Sequence, residues 1–102
     1  MDKRKAIKIV NDYIKYIRSK SISVKNAYLF GSYASDKYTE NSDIDIALII
    51  DNIDDPIDMQ IQLMMLRRNI ETIIEPHPFD VSEFTSEHPF AKEIMRTGIK
   101  IL

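Results

Sequence analysis

Two short stretches carry the residue types that do chemistry. Tyr28-Leu29-Phe30-Gly31-Ser32-Tyr33-Ala34 ends an apolar run in Gly-Ser, and Ser42-Asp43-Ile44-Asp45-Ile46-Ala47-Leu48-Ile49-Ile50 opens another with Asp-x-Asp. Side chains alternate along a strand, so Asp43 and Asp45 project from one face while Ile44 and Ile46 project from the other. Two carboxylates about 7 Å apart along one strand repel each other, and a divalent cation between them relieves that repulsion. Gly31 and Ser32 close the preceding run and offer backbone N–H groups and a hydroxyl, which suit a phosphate. Together the two stretches read as a metal–nucleotide site.

The hydrophobic pattern supplies the elements that carry these residues. Ile7, Val10, Ile14 and Ile17 recur at spacings of three and four, widened by Tyr13 and Tyr16, which predicts a helix over residues 2–19. Residues 27–30 form a short buried strand that ends at Gly31, one of only two glycines in the chain. Residues 32–36 start a short helix, 37–41 are loop, and 42–50 form the central strand. Asp55 suits an N-cap and Pro56 a first helical residue, which predicts a helix to about residue 68. Its Ile57, Ile61, Met64, Met65 and Leu66 are available to the core, or as a methionine-rich face to a partner. A third strand over 70–75 stops at Pro76 and Pro78, since proline cannot sit in a central ladder. His77 then reads as a loop histidine, a kind more often simply exposed, with contact to a nucleotide or metal as the alternative. Residues 87–97 form a helix with Phe90, Ile94 and Met95 inward and Gly98 as its C-cap, and 99–102 a terminal strand. The fold class expected is α/β (α+β): a small mixed sheet with helices packed on it, in a single domain over residues 1–102.

Composition excludes several classes. The chain has no cysteine, so disulfides and thiolate metal sites are out, and a reducing, cytoplasmic setting is expected. No apolar run approaches the roughly 18 residues of a membrane span, and polar residues interrupt the segment after the basic N-terminus, unlike a signal peptide. The net charge of −2 argues against direct nucleic-acid binding. Eight of the 14 basic residues lie at or before Lys25, and eight of the 16 acids lie between Asp36 and Asp58. Most of these are expected to be solvated surface; Asp43 and Asp45 stand apart because they interrupt an apolar strand. An EF-hand loop fails, because its later ligand positions fall on Ala47, Leu48 and Asp54, and no Gly-Lys-Ser/Thr forms a P-loop.

Gly31-Ser32, a ten-residue interval and Asp43-Ile44-Asp45 resemble the signature of the minimal nucleotidyltransferases of the DNA polymerase β-like superfamily. Ile74-Glu75-Pro76-His77-Pro78-Phe79 and Glu93-Ile94-Met95-Arg96-Thr97-Gly98-Ile99 look like the corresponding segments of small prokaryotic members, so the resemblance runs over nearly the whole chain. It implies Mg²⁺-dependent transfer of a nucleotidyl group, AMP from ATP, by in-line attack on the α-phosphorus. Two Mg²⁺ ions, or Mn²⁺, would be held by the catalytic carboxylates Asp43, Asp45 and a third on a neighbouring strand. Glu75, at the end of the third apolar run, is the expected third carboxylate and base; Asp80 is the second choice, and Glu71 lies further in. Gly31 and Ser32 would hold the β- and γ-phosphates.

One departure stands out. Many relatives carry Arg-Gly or Lys-Gly after the Gly-Ser-x-Ala segment, where this chain has Ser35-Asp36, an acid near the phosphates that Lys37 is placed to offset. Minimal members also resemble antitoxins paired with HEPN-domain ribonuclease toxins, so a HEPN-domain protein is the expected partner, with a protein hydroxyl as acceptor and Tyr33, Tyr38 and Phe79 as docking surface. A homo-oligomer is compatible with the sequence. The alternative is a catalytically weak or inactive module of this fold that neutralises a toxin by contact.

Overall fold

The structure, a computed structural model, describes residues Met1–Leu102. Three helices pack on a four-stranded mixed sheet. The elements are α1 (Lys3–Ser19), β1 (Val24–Phe30), a 3₁₀ turn (Gly31–Tyr33), β2 (Ile44–Ile50), α2 (Pro56–Leu66), a second 3₁₀ turn (Arg67–Asn69), β3 (Ile74–Asp80), α3 (Pro89–Thr97) and β4 (Ile99–Lys100). The strand order is β3-β2-β1-β4. β1 runs antiparallel to β2 and β4, while β2 and β3 are parallel, as the α2 crossover between them requires. No helix is long and apolar enough to cross a membrane.

Local chemistry fixes the helix starts. Asp2 caps α1 by accepting from Lys5 N–H, and Asp55 caps α2 by accepting from the N–H groups of Ile57 and Asp58, ahead of Pro56. His88 Nδ1 accepts from Ala91 N–H ahead of Pro89 in α3. α1 buries Ala6, Val10, Tyr13, Ile14 and Ile17, the stripe its spacing predicts, and Tyr13 Oη donates to Leu63 O at 2.8 Å to tie α1 to α2.

Alternation along β2 splits the core in two. Ile44, Ile46, Leu48 and Ile50 join the larger cluster with α1 and Leu63 of α2. Ala47 and Ile49 face the other way, into a smaller cluster with Phe79 and with Ala91 and Ile94 of α3. Asp45 lies on this second face, at the end that α3 leaves uncovered.

β3 differs from the sequence expectation. It spans Ile74–Asp80 and includes both prolines instead of stopping at them. It is an edge strand, hydrogen-bonded only to β2. In a parallel pair alternate residues direct both backbone polar groups to the neighbour, and those between direct theirs outward. Val81 N–H donates inward to Ile50 O, whereas the carbonyls of Ile74 and Pro76 accept from the Arg67 and Gln60 side chains. Pro76 and Pro78 occupy the outward set, where no ladder donor is needed. They also blunt an edge that would otherwise invite pairing.

α2 is a second correction. Leu63 is its fully buried residue, while Ile57, Ile61 and Met65, expected to be available to the core, are 74%, 54% and 58% exposed. Phe90 of α3, expected inward, is 43% exposed.

Candidate active site

Asp45 occupies the middle of a row across three strands, with Phe30 of β1 on one side and Glu75 of β3 on the other. The next row is Tyr28, Ala47 and His77. Residues in register project from the same face, so Phe30, Asp45, Glu75 and His77 share one patch of the sheet. Neighbouring strands lie about 4.8 Å apart, which brings the Asp45 and Glu75 backbones to adjacent positions.

Gly31 explains its own identity here. Its φ is +74°, a conformation L side chains rarely adopt. A Cβ built on it would collide with Asp45 Oδ2 and lie 3.2 Å from Asp45 Cγ. The Asp45 carboxylate therefore packs directly against the Gly31 backbone, and the two halves of the motif form one object. The turn after Gly31 is closed by Ala34 and Ser35 N–H groups donating to Gly31 O at 3.2 and 3.1 Å.

The remaining site residues surround this contact. Asp43 sits just before β2, exposed and outside every ion pair of the chain. Asp45 is half-buried, and its Oδ1 lies 3.3 Å from His77 Nε2. The His77 ring meets Phe30 edge-on at 5.0 Å between centroids and Phe90 at 6.1 Å, which fixes its orientation. Glu75 Oε1 lies 3.5 Å from Arg67 Nη1, which also donates to Ile74 O at 2.8 Å. No three acidic or histidine side chains converge in metal-ligand geometry. Mg²⁺ commonly takes one or two protein carboxylates and completes its octahedron with water and substrate phosphates, so Asp43 and Asp45 beside Gly31 are a donor set of the right hardness and number.

A cleft of about 370 Å³ opens on the same side, lined by Phe30, Gly31, Ser35, Phe90, Glu93 and Thr97 among others. It joins the Gly31 turn to the exposed face of α3.

The structure brings Gly31, Ser32, Asp43, Asp45 and Glu75 to one end of the sheet. Asp80 is at the other end, in register with Ile50, where it accepts from Ile53 N–H at 2.9 Å and from Ser82 N–H and Oγ. Glu71 precedes β3. The expected docking surface needs correction: Tyr33 and Phe79 are 1% and 7% exposed, and Tyr33 is covered by stacking on Tyr38 at 4.6 Å. Aromatic residues beside a motif fill the space under it as readily as they flank it. Phe30, Phe90 and Arg67 lie against the candidate residues His77 and Glu75, neighbours that the sequence alone does not single out. Period-two alternation through Glu75, His77 and Phe79 is the signal that puts His77 on the site face once the prolines are allowed in an edge strand.

Asp36 also finds its account. It adopts φ +62°, where glycine is the easy residue, and its carboxylate is 2.6 Å from Lys3 Nζ of α1. Its charge is thereby turned toward the helix.

Residues 11–102 match the sequence family described as Polymerase beta, Nucleotidyltransferase. Over 67 residues the chain is 40% identical to the putative protein adenylyltransferase MJ0604 of Methanocaldococcus jannaschii, covering 64% of each protein. The chain thus spans slightly less than two thirds of that relative's length. Its fold matches the crystal structure of a putative nucleotidyltransferase from Sulfolobus solfataricus with a TM-score of 0.68, over 96% of this chain and 80% of that one, at 21% identity. The matched residues include both the Gly31-Ser32 turn and the Asp43-x-Asp45 strand packed against it, and the chain belongs to the polymerase beta-like nucleotidyltransferase family.

Proposed function

We propose that this protein transfers AMP from ATP to a hydroxyl group of a partner protein, releasing pyrophosphate. The observation that carries the reading is the Asp45 carboxylate seated against Gly31 at φ +74°, in a row with Glu75. That arrangement joins the Gly31-Ser32 turn to the carboxylates at one point. A relative whose printed name is a protein adenylyltransferase supports a protein as acceptor.

Asp43 and Asp45, with Glu75 beside them, would hold Mg²⁺ or Mn²⁺, two ions in the full assembly. When bound, such ions neutralise the triphosphate and stabilise the attacking and leaving oxygens. The chain's own residues do the rest. Gly31, lacking a Cβ, leaves room for the Asp45 carboxylate at its backbone, and the Gly31 N–H and Ser32 hydroxyl would donate to the phosphates. His77 holds Asp45 Oδ1 and so limits the carboxylate's rotation. The acceptor hydroxyl oxygen attacks the α-phosphorus, the bond to the β-phosphate breaks, and the hydroxyl proton passes to Glu75. Arg67 beside Glu75 orients that base from the outer side. The cleft between Phe30 and Phe90 offers an apolar wall for the nucleobase.

The resemblance to antitoxins of HEPN/MNT pairs makes a HEPN-domain ribonuclease the leading acceptor, with a tyrosine near its RNA site as target. An attached AMP adds bulk and negative charge there and blocks RNA. The test is to incubate this protein, a HEPN partner, Mg²⁺ and ATP, and weigh the partner by mass spectrometry. A gain of one or more AMP units that vanishes with Asp43→Asn supports the enzyme. Tight neutralisation without a mass gain, unchanged by Asp43→Asn, establishes contact inhibition instead. Ser35-Asp36 standing where many relatives carry Arg-Gly or Lys-Gly, which leaves no base at that point beside the phosphates, is the observation that favours that second reading.

A further inference from the structure

The cleft beside the Gly31 turn has an apolar wall and a polar rim of one chemical kind. Phe30 and Phe90 form the wall, their rings edge to face at 5.5 Å. The polar side chains that line it are Ser35, Glu93 and Thr97. Thr97 Oγ1 donates to Glu93 O at 2.8 Å, and Ser35 Oγ donates to Ser32 O at 3.3 Å. A hydroxyl has a single proton, so each leaves only lone pairs for a ligand, and a carboxylate accepts without donating. Arg96 does not line the cleft. Its guanidinium lies on the Glu93 carboxylate, with Nη2 2.8 Å from Oε1 and Nε 3.3 Å from Oε2. That pairing directs the carboxylate, balances its charge and still leaves lone pairs unused, since two carboxylate oxygens have about four.

A rim that only accepts selects a ligand that donates. We propose that Glu93 is the residue that reads the nucleobase, accepting a hydrogen bond from the exocyclic amino group of adenine, with the Thr97 and Ser35 hydroxyls as further acceptors. The assignment rests on the nucleotide reading above, which puts the triphosphate at Gly31 and Ser32 and the base in this cleft. The cleft volume of about 370 Å³ is within the range of small-molecule sites. Adenine is the common base with an amino group and no carbonyl oxygen. Guanine, cytosine and uracil each bring a carbonyl oxygen that meets no donor side chain here, and a polar group left unpaired on binding weakens it. The aromatic wall takes the flat ring of any base. Discrimination therefore falls to the rim, and a site built to pair with one polar group rejects the analogue that lacks it.

Calorimetric titration in Mg²⁺ with three nucleotides tests it: ATP, purine riboside triphosphate, which is ATP without the amino group, and ITP, which has a carbonyl in its place. ATP should bind at least about tenfold more tightly than either, the scale of a hydrogen bond to a charged acceptor. Glu93 is exposed on α3, so Glu93→Ala should keep the circular dichroism spectrum of the wild type. That variant should weaken ATP by about the same factor and leave purine riboside triphosphate unchanged, which closes the gap between them. Equal binding of the three by the wild type, or a gap that survives Glu93→Ala, overturns the assignment of Glu93 while the nucleotide site stands. Binding of none of the three overturns the nucleotide reading itself, and the assignment with it.

Discussion

The two faces of β2 do different work with alternate residues of one seven-residue strand. On one face Ile44, Ile46, Leu48 and Ile50 are at most 1% exposed and lie under α1 and α2. On the other, Ala47 and Ile49 pack under α3 while Asp45 remains half-buried beside Gly31 and His77. The first face has no polar atom to satisfy and supplies cohesion. The second stops its apolar cover two residues short, and the carboxylate stands in that gap. A strand can thus be anchored as firmly as a core requires while one position at its end remains open to ligand.

This contrast can be broken from either side. The largest effect expected is on chemistry alone. Asp45→Asn, and likewise Asp43→Asn, should lower nucleotidyl transfer by at least about a hundredfold, the scale of losing a principal electrostatic group in an active site. Thermal melting should show the fold intact, since neither carboxylate is part of the core. The converse variant is Ile46→Ala, on the opposite face. It should cost about 2–5 kcal/mol of stability in urea unfolding, while the molecules that remain folded bind nucleotide as the wild type does.

Gly31→Ala strikes the joint between the faces. The added methyl must displace the Asp45 carboxylate and tolerate positive φ. A loss of about 1–2 kcal/mol in stability is expected from the backbone alone, with a larger fractional loss in nucleotide affinity measured by calorimetry.

The smallest effect concerns the end of the sheet remote from the site. Hydrogen bonds from Ser82 and from Ile53 N–H hold the Asp80 carboxyl below its usual value of 3.8. The ionised form is favoured in the folded state, so the stabilisation is complete above the unfolded value and is lost as pH falls through the lower folded one. Asp80→Asn should therefore melt slightly below the wild type at pH 7, and the gap should close under acid, with transfer activity unaffected. A gap that widens on acidification would contradict that linkage.

The parts legible in the sequence are those that local spacing determines. Gly31-Ser32 and Asp43-x-Asp45 lie within one strand–turn–strand unit, and α1 has a single apolar stripe that only one packing satisfies. α2 is apolar on several sides, with Ile57, Ile61, Leu63, Met64, Met65 and Leu66 all candidates. Which of them is buried depends on where the sheet lies, and that choice is tertiary. The extent of β3 escapes the sequence for a related reason. Proline forbids a central ladder position but not the outward set of an edge strand, and edge status belongs to the whole sheet. Tyr33 and Phe79, docking candidates by their place beside the motif, are used by the fold as core. Placing Glu75 beside Asp45 requires only an adjacent strand, and the register agrees; its Arg67 partner comes from a turn the sequence does not reveal.

The central claim is that the carboxylates beside Gly31 form a metal-dependent nucleotide site. Isothermal calorimetry of ATP binding, with and without Mg²⁺, tests it most directly. The account predicts affinity that rises strongly with Mg²⁺, and loss of that dependence in the Asp43→Asn, Asp45→Asn double variant at unchanged fold. ATP binding that is equal with and without Mg²⁺, or that keeps its Mg²⁺ dependence in the double variant, would contradict it.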